Sequence, residues 1–294
     1  MFVFSRLNYK TQKKILITAF LAVPLLLLAV FSYLPLVWMF IYSFHDWNGY
    51  SKNMAYVGLK NYIDLFTRPE YFSVFKVSLY YFGASLVQIA LALYFASVLS
   101  FKLKGKEFFK GVLFFPYLLN GVAIAFIFLY FFRPDGTLDT LLRILGLGDR
   151  IQLWLGNPQI INFSLAGTSV WRYMGFNFIL FLGSIQSVSG DLYEAAELDG
   201  ANRWHQFWYI IFPSIRRIIE LNLILSISGS ISAFEIPYIM TGGSNGSKTF
   251  VIQTVDTAFK FQKFGMASAM GIVLLSIVIA VTLIQRRIFS EKEV

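Results

Sequence analysis

The chain of 294 residues is strongly apolar: 57% of its residues are hydrophobic, 18% are aromatic and only 14% are charged. Its mean hydropathy is +0.63. Soluble domains contain about 25% charged residues, so this composition excludes a disordered chain and argues against a single soluble globule. Cysteine is absent and histidine occurs only as His45 and His205, which excludes disulfides, thiol nucleophiles and a histidine metal cluster. The net charge of +9 matters mainly through where the positive residues lie.

Six apolar runs are long enough to cross about 30 Å of hydrocarbon, which takes about 20 helical residues. The predicted spans are residues 15–44, 71–99, 111–132, 163–188, 217–240 and 264–285. The first run is too long for the apolar part of a cleaved signal peptide, so it is predicted to be a span. The sequence therefore predicts an all-α membrane protein in which residues 1–294 form a single polytopic domain.

Lys and Arg residues are concentrated in the shorter segments on one side of these spans. Those segments carry Arg6, Lys10, Lys13, Lys14, Lys102, Lys104, Lys106, Lys110, Arg203, Arg216, Arg217, Arg286, Arg287 and Lys292. Cytoplasmic segments of membrane proteins are enriched in Lys and Arg, so both termini are predicted to be cytoplasmic. The three longer connections then face outward, where a partner can dock.

The cytoplasmic connection of residues 189–213 is predicted to form two short helices between the fourth and fifth spans. Asp191 and Glu194 have the spacing of a capping box, and Gly200 suits the left-handed residue that ends a helix. A second helix is predicted to run to about residue 211, and Pro213 then opens the next span.

Trp204, Phe207 and Trp208 would form an aromatic face on the second of these helices. Aromatic residues in a water-facing connection need a surface that covers them. The physics of the segment leaves two interpretations equally open. The face either docks a partner protein or lies on the membrane interface as an amphipathic element.

The same connection contains a recognisable motif. It is formed by Glu194, Ala195, Ala196, Asp199, Gly200, Ile210 and Pro213. The segment resembles the EAA loop of permease subunits in ATP-binding-cassette (ABC) importers, although Phe212 stands where that pattern has Leu. Asp46-Trp47 and residues 57–62, 133–136 and 241–243 are similar to the sugar-permease branch, so the likeness covers nearly the whole chain and is closest to the maltose-permease type.

The resemblance implies a permease subunit of a binding-protein-dependent carbohydrate importer, with an oligosaccharide as substrate, that crosses a bacterial cell (inner or plasma) membrane several times. It implies three protein partners: a second permease subunit, a cytoplasmic ABC ATPase dimer and an extracytoplasmic solute-binding protein. ATP and Mg²⁺ would bind to the ATPase, so this chain is expected to hold no cofactor, metal or catalytic residue and to bind no nucleic acid. By the resemblance, Trp204 and Phe207 belong to the surface that docks the ATPase.

Residues 242–249 nearly match the phosphate-binding loop G-x-x-x-x-G-K-[ST], but Ser247 stands where the second Gly belongs. That Gly allows the backbone to approach phosphates closely. The segment also follows a predicted membrane span rather than a strand. We therefore expect a Gly-rich outer turn and an ATPase on a separate chain.

Polar residues at membrane depth are costly and are candidates for function. The candidates for a substrate pathway are Tyr173, Phe176, Asn177, Ser226, Ser230, Ala233 and Glu235. A neutral sugar needs hydroxyl and amide partners together with aromatic platforms, and by the resemblance most of these positions line the pathway. Small polar residues such as Ser226, Ser230 and Asn222 also join helices to one another, so packing remains the alternative.

Other polar residues in the spans receive structural interpretations. Gln88 and Asn120 are predicted to form interhelical hydrogen bonds, and Glu235 is placed at the outer mouth. Arg172 is interpreted as an interfacial anchor or as part of an outer gate. A stand-alone secondary transporter or channel remains the alternative function, although such a transporter would lead us to expect buried carboxylates or an inverted repeat. No nucleophile–base pair supports an intramembrane enzyme.

Overall fold

The computed structural model describes residues 8–101 and 104–290. Arg6, Lys102 and Lys292, which contribute to the predicted orientation, lie outside the described residues. The chain divides into two compact units, residues 1–67 with 255–273 and residues 68–254 with 274–294.

The first unit begins with a helix of 34 residues, Tyr9–Tyr42. It consists of α1 (Tyr9–Leu28), a π-helical turn (Ala29–Tyr33) and α2 (Leu34–Tyr42). No residue of its most apolar window is buried. An apolar helix that is exposed along its length suits a lipid or protein environment rather than water.

After this helix, a short antiparallel pair joins β1 (His45–Asp46) to β2 (Ala55–Tyr56), and α3 (Lys60–Thr67) follows. The buried Asn61 amide donates to the carbonyls of Ser43 (2.9 Å) and His45 (3.0 Å). Gly265 lies against the His45 carbonyl, where any Cβ would overlap the oxygen. Asn61 and Gly265 therefore fix how the chain leaves α2.

The second unit contains most of the remaining helices. They are α4 (Pro69–Phe72), α5 (Phe75–Ser100), α6 (Lys106–Leu118), α7 (Gly121–Phe132), α8 (Thr137–Ile144), α9 (Ile161–Gln186), α10 (Gly190–Leu198), α11 (Arg203–Gln206), α12 (Phe212–Ile231), α13 (Glu235–Thr241) and α14 (Phe250–Val255). This unit also contains a 3₁₀ turn (Gly148–Arg150) and a π-helical turn (Phe207–Ile211). A further π-helical turn (Asp256–Lys260) belongs to the first unit, and α15 (Phe264–Ser290) has residues in both units.

The core of the second unit lies between α5, α9 and α12. Its fully buried side chains include Ala92 and Ala96 of α5, Phe178 and Phe181 of α9, and Ile215 of α12. Small residues on α5 face large ones on α9, which allows close helix packing in an apolar setting. Gly175 of α9 lies against the backbone of Leu113 and Phe114 in α6, where a Cβ would overlap the Leu113 carbonyl.

Helices occupy most of each of the six predicted spans, and the third and fifth spans are broken well within their length. Within the described residues, four helices are long and apolar enough to cross a membrane, and the pair α6–α7 makes a fifth if it is one span. The fourth predicted span, α9, is 26 residues long but does not meet that standard of apolarity. The finding is a mostly helical chain with several apolar helices suited to a membrane.

The third predicted span bends by 98° between α6 and α7. Pro116 lies near the end of α6, and Leu119 and Asn120 have extended backbone angles. The Asn120 side chain accepts a hydrogen bond from the Val122 amide at 2.8 Å and caps α7. The predicted interhelical role of Asn120 is therefore wrong, because its polarity satisfies a free helix end instead.

The fifth predicted span is interrupted at residues 232–234, between α12 and α13. Phe234 has φ −141° and ψ −58°, outside helical geometry. Non-helical backbone at membrane depth is tolerated where it is buried in protein or lines a cavity. The prediction of one uninterrupted helix is thus corrected. The break is expected either to be buried in protein or to line a cavity.

Candidate functional site

The connection of residues 189–213 forms α10 and α11, as the sequence predicts, but the cap differs. The Ser189 hydroxyl accepts from the Asp191 amide at 3.3 Å, and Ser189 is the residue that precedes α10. The predicted capping box of Asp191 with Glu194 is therefore wrong by two residues. Serine two residues earlier meets the same need for an acceptor at the helix start.

Gly200 ends α10 in the left-handed conformation that the sequence predicts, with φ +79°. The Gly200 amide bonds to the Glu197 carbonyl at 3.1 Å, and the Ala201 amide bonds to the Ala196 carbonyl at 2.9 Å. These bonds satisfy carbonyls that a helix end leaves free. The turn between the two helices is thus held by backbone hydrogen bonds as well as by the glycine.

The second helix does not stop at Ile211. The helix continues from Arg203 through the π-helical turn Phe207–Ile211 into α12, and the Asn202 side chain caps its start by accepting from the His205 amide at 3.0 Å. Pro213 lies in the first turn of α12. The predicted boundary at Pro213 is therefore corrected: α11 and the fifth span are parts of one continuous helix.

Polar contacts also hold the two helices of the connection together. Gln206 is 1% exposed, and its Nε2 lies 3.5 Å from a carboxylate oxygen of Glu197. The Arg203 guanidinium lies 3.9 Å from the same carboxylate and 3.9 Å from the centre of the Phe101 ring. Burial raises the pKa of the Tyr193 phenol, which keeps this residue of α10 neutral. Sequence patterns did not predict these contacts of Gln206 and Arg203.

The outer surface of the connection is apolar and exposed. The exposed fraction is 89% for Leu198, 67% for Trp204 and 78% for Tyr209. Trp204 stacks on Phe207 with 6.3 Å between ring centres, and Phe207 is partly buried against the core. Phe207 thus supports the exposed Trp204, while Leu198 is a surface residue that the sequence did not single out.

The motif residues of the connection differ in exposure. Ala196 and Ile210 are half-buried, whereas the exposed members are Glu194, Ala195, Asp199, Gly200 and Pro213. The exposed members belong to the same connection as the apolar surface described above, except Pro213, which lies in the first turn of α12. Their arrangement suits contact with a partner more than packing within this chain.

A cavity of about 470 Å³ lies in the second unit, between α5, α9, α12 and α13. Its lining includes every predicted pathway residue: Tyr173, Phe176, Asn177, Ser226, Ser230, Ala233 and Glu235. Ligand cavities typically measure roughly 300–1,000 Å³. The structure therefore brings together residues of α9, of α12, of the break that follows α12, and of α13, while their role stays a prediction.

The break between α12 and α13 forms part of the cavity wall. Ser232, Ala233 and Phe234, which compose the break, all line the cavity. Interrupted helices expose backbone polar groups, and transporters place such groups at substrate sites. The run of small residues before Phe234 is the sequence signal that could have indicated this break.

Three residues of α5 that the sequence did not assign to the pathway also line the cavity: Tyr81, Ser85 and Gln88. The predicted interhelical hydrogen bond of Gln88 is not found, since its side chain has no hydrogen-bond partner among the described residues. Asn222, by contrast, is 2% exposed, does not line the cavity and donates to the Ile218 carbonyl of its own helix at 2.8 Å.

An ion pair lies beside the cavity, and its Glu235 is a lining residue. Arg172 Nη1 donates to Glu235 Oε2 at 2.5 Å, and only 13% of the Arg172 side chain is exposed. The Arg172 guanidinium also lies 4.8 Å from the centre of the Tyr173 ring. Because Arg172 lies mid-way along α9 and is paired, its interpretation as an interfacial anchor is wrong.

The segment of residues 242–249 forms a turn that hydrogen bonds hold in place. Thr241 Oγ1 and Ser247 Oγ lie 2.7 Å apart, and Asn245 Nδ2 donates to the Leu155 carbonyl at 3.1 Å. Gly242, Gly243 and Gly246 all have positive φ. This geometry agrees with the predicted Gly-rich turn.

Comparisons with known proteins connect these features to relatives. The family model described as "Binding-protein-dependent transport system inner membrane component" matches residues 88–292. The chain is 34% identical over 285 residues to "Probable ABC transporter permease protein YurN" of Bacillus subtilis, covering 95% of this chain and 97% of the relative. It is 30% identical over 278 residues to "Multiple sugar-binding transport system permease protein MsmF" of Streptococcus mutans, covering 94% and 95%.

Two solved structures share the fold. One is titled "Crystal structure of bacterial alginate ABC transporter in complex with alginate pentasaccharide-bound periplasmic protein", with a TM-score of 0.83 at 19% identity over 96% of both chains. A second alginate ABC transporter gives a TM-score of 0.80 at 21% identity over 95% of this chain and 98% of the other. Identity this low establishes the fold alone, whereas the family match covers more than half of the chain. The chain therefore belongs to the family of binding-protein-dependent transport system inner membrane components, which confirms the importer-permease resemblance found in its sequence.

Proposed function

We propose that this chain forms half of the translocation pathway of an ABC importer for a neutral carbohydrate, with an oligosaccharide as substrate. The observation that carries the proposal is the cavity at the broken helix, where hydroxyl and amide side chains meet Tyr173 and Phe176. Aromatic faces and hydroxyl or amide groups are the partners that sugar rings and sugar hydroxyls need. Relatives named for sugars support it, among them MsmF and "Arabinooligosaccharides transport system permease protein AraP" of Bacillus subtilis, 32% identical over 266 residues.

The charge of the cavity favours a neutral substrate. Among the lining residues that the structure describes, Glu235 is the charged one, and Arg172 compensates it. The two solved neighbours are titled for alginate, which one title calls an acidic polysaccharide. A carboxylate-bearing sugar would meet the half-exposed Glu235 side chain (39%) without a free cation beside it, and like charges in a low dielectric repel strongly.

The proposed assembly contains a second permease subunit, an ATPase dimer and an extracytoplasmic binding protein. Six spans with cytoplasmic termini place residues 189–213 beside the ATPase and the three long connections on the outside. ATP and Mg²⁺ then bind to the ATPase, and this chain contributes no covalent chemistry. The exposed Leu198, Trp204 and Tyr209 supply the apolar surface that an ATPase cleft would cover.

Coupling follows from the continuity of α11 with α12. When ATP closes the ATPase dimer, a docked α10–α11 element moves with it. The continuous helix from Arg203 to Ile231 carries that motion to Ser226 and Ser230 at the cavity. The cavity then alternates between two packed arrangements, driven by differential binding of the nucleotide.

The first experiment is a pull-down of the chain from its native membranes in mild detergent, with mass identification of the co-purifying proteins. We expect an ATPase and a second permease chain to co-purify with the wild-type chain. The ATPase should be lost when Trp204 and Phe207 are both replaced by Ala. The complex is then placed in liposomes and tested with maltose, cellobiose, arabinobiose and diacetylchitobiose. Uptake by the chain alone, without ATP, would overturn the importer in favour of a secondary transporter.

A further inference from the structure

The connection of residues 189–213 contacts a third helix in addition to α10 and α11. Phe101 directly follows α5 (Phe75–Ser100), has an extended backbone and packs against the core between α5, α9 and α12. The Arg203 guanidinium lies over the Phe101 ring, 3.9 Å from the ring centre. Because Arg203 is the first residue of α11, this contact joins the start of the continuous α11–α12 helix to the end of α5.

Gln206 links Arg203 to α10. It is 1% exposed, in a connection whose other residues are mostly exposed. Its Oε1 accepts from Arg203 Nη1 at 3.4 Å, and its Nε2 donates to Glu197 Oε1 at 3.5 Å. A buried amide is costly unless its donor and its acceptor are both hydrogen-bonded, so Gln206 holds α11 in one position against α10. We name Phe101, Glu197, Arg203 and Gln206 the α5 bridge.

The position of Arg203 is not explained by the stability of its own helix. A cation at the N-terminal end of a helix is repelled by the helix dipole. The ion pair of Arg203 with Glu197 is 3.9 Å long and more than half of each side chain is exposed, and such surface pairs contribute little to stability. A guanidinium on a ring face is attracted by the ring quadrupole. The contact with Phe101 is therefore the interaction that connects Arg203 to a fixed part of the core.

The packing of α5 against α12 gives this contact a mechanical consequence. Ala92 and Ala96 of α5 and Ile215 of α12 are buried in the same core. A close-packed core resists sliding, because a shift of one helix along another opens gaps. A motion that enters through α12 alone would have to slide α12 along α5. A motion that enters both helices avoids this cost, and unbroken α5 reaches the cavity lining at Gln88, about 20 Å from Phe101 at 1.5 Å per residue.

We propose that the α5 bridge is a second connection for coupling, which makes α5 move together with α12 when the ATPase moves the docked helices α10 and α11. This inference rests on the proposed importer. It assigns Arg203 and Gln206 as positioning residues rather than as part of the surface that contacts the ATPase. Coupling of this kind requires an element with two arrangements that both sites bias, and here that element is the packed pair of α5 and α12.

Arg203→Met and Phe101→Leu test the α5 bridge from its two ends. Methionine is long and unbranched but carries no cation, and leucine is apolar but has no ring face for a cation. Arg203→Lys keeps the charge and loses the planar guanidinium. Arg217→Met is the matched control, since Arg217 is an exposed arginine of the same continuous helix and forms no ion pair or ring contact among the described residues.

The readout is the amount of sugar transported per ATP hydrolysed, in liposomes that contain the complete complex and the binding protein. The sugar is the one from the panel above that wild type transports fastest. We expect Arg203→Met and Phe101→Leu each to lower this ratio about threefold, while ATP hydrolysis stays within about twofold of wild type. The double variant should match either single variant, because both substitutions remove the same interaction. Arg203→Lys should lie between, and Arg217→Met should keep the wild-type ratio.

A purely structural role would lower transport and ATP hydrolysis in parallel and leave their ratio unchanged, which would overturn the α5 bridge. Additive effects in the double variant would overturn it as well, since the two side chains would then act independently. Loss of the ATPase from Arg203→Met in the pull-down would place Arg203 in the docking surface and count equally against the bridge.

If the Phe101→Leu complex fails to assemble, Arg203→Met decides alone: a lowered ratio supports the α5 bridge and an unchanged ratio overturns it. Wild-type uptake with unchanged ratios in every variant would overturn the bridge and leave the importer intact. Absence of ATP-dependent uptake of every panel sugar by wild type would overturn the carbohydrate importer and, with it, this inference.

Discussion

Arg172 and Glu235 form a 2.5 Å ion pair between α9 and α13, although 63 residues separate them in the chain. Gly121, the first residue of α7, lies against both side chains, where a Cβ would overlap Arg172 Nη1 and Glu235 Oε2. One guanidinium thus meets the starts of two helices that follow breaks. Because an intramembrane charge is costly unless it is paired, the pair fixes α13 against α9 at the cavity.

Removing the negative charge of this pair should destabilise the protein more than substituting another carboxylate for it. We expect Glu235→Gln to destabilise the protein by about 3 kcal/mol, because it leaves Arg172 buried without a counter-ion. Glu235→Asp should retain most uptake and stability. The measurement is thermal unfolding of the detergent-solubilised complex together with sugar uptake.

Arg216 and Glu220 provide the control for this prediction. They form a 2.8 Å pair one turn apart on α12, with 44% of the arginine side chain exposed. Such pairs contribute about 0.2–0.5 kcal/mol, so Glu220→Gln should change stability little. Equal effects of the two glutamine substitutions would contradict the structural importance of Arg172–Glu235.

Gly121→Ala should disturb the same pair without removing a charge. The added methyl group needs the space that Arg172 and Glu235 occupy, so we expect lower uptake and about 1–3 kcal/mol of destabilisation. Gly167→Ala on α9 is the control, because its Cβ would meet nothing within 4 Å. We expect no loss of stability in Gly167→Ala, because alanine has a higher helix propensity than glycine.

Gly200 should be required for coupling rather than for membrane insertion. Because Gly200 has φ +79°, Gly200→Ala should strain the turn by about 1 kcal/mol. Gly200→Asp would in addition place a charge in the connection that is proposed to dock the ATPase. We expect the Asp variant to lower sugar uptake while the spans still insert. Gly190→Ala is the matched control, since its φ is not positive and its Cβ would meet nothing within 4 Å. Unchanged assembly and uptake with Gly200→Asp would remove the transmission role from this turn.

The absence of cysteine makes the topology directly testable. Single cysteines replace Ser51, Asp149 or Asn245 in predicted outer segments, or Lys104 or Asp191 in predicted cytoplasmic segments. With six spans and cytoplasmic termini, a membrane-impermeant maleimide should label only the first group in intact cells. Permeabilised cells should give labelling at all five positions. Labelling of Asp191→Cys from outside would invert the predicted orientation.

Local features were predictable from the sequence because neighbouring residues determine them. Gly200 ends a helix through its own backbone freedom, and the long apolar runs define helices by composition alone. Asn120 shows the limit: a polar residue in an apolar run can cap a helix or bond across to another. Only the bend after Leu119 distinguishes the two.

The site was predictable in part. Tyr173, Phe176, Ser226 and Ser230 were found because residues with suitable chemistry occur at helical spacing and match the family resemblance. The Arg172–Glu235 pair and the partnerless Gln88 depend on which helices meet in three dimensions. Periodicity along one helix contains no information on its neighbours, so these assignments required the folded structure.

If α10 and α11 dock the proposed ATPase, the unbroken helix from Arg203 to Ile231 would act as a lever. Trp204 and Ser230 are 26 residues apart, which at 1.5 Å per residue corresponds to about 39 Å. A tilt of about 5° at the docking end would shift the cavity end by about 3 Å, comparable to the length of a hydrogen bond. A change of a few degrees at α11 would therefore be large enough to separate a hydroxyl of the proposed sugar substrate from its partner on the cavity wall.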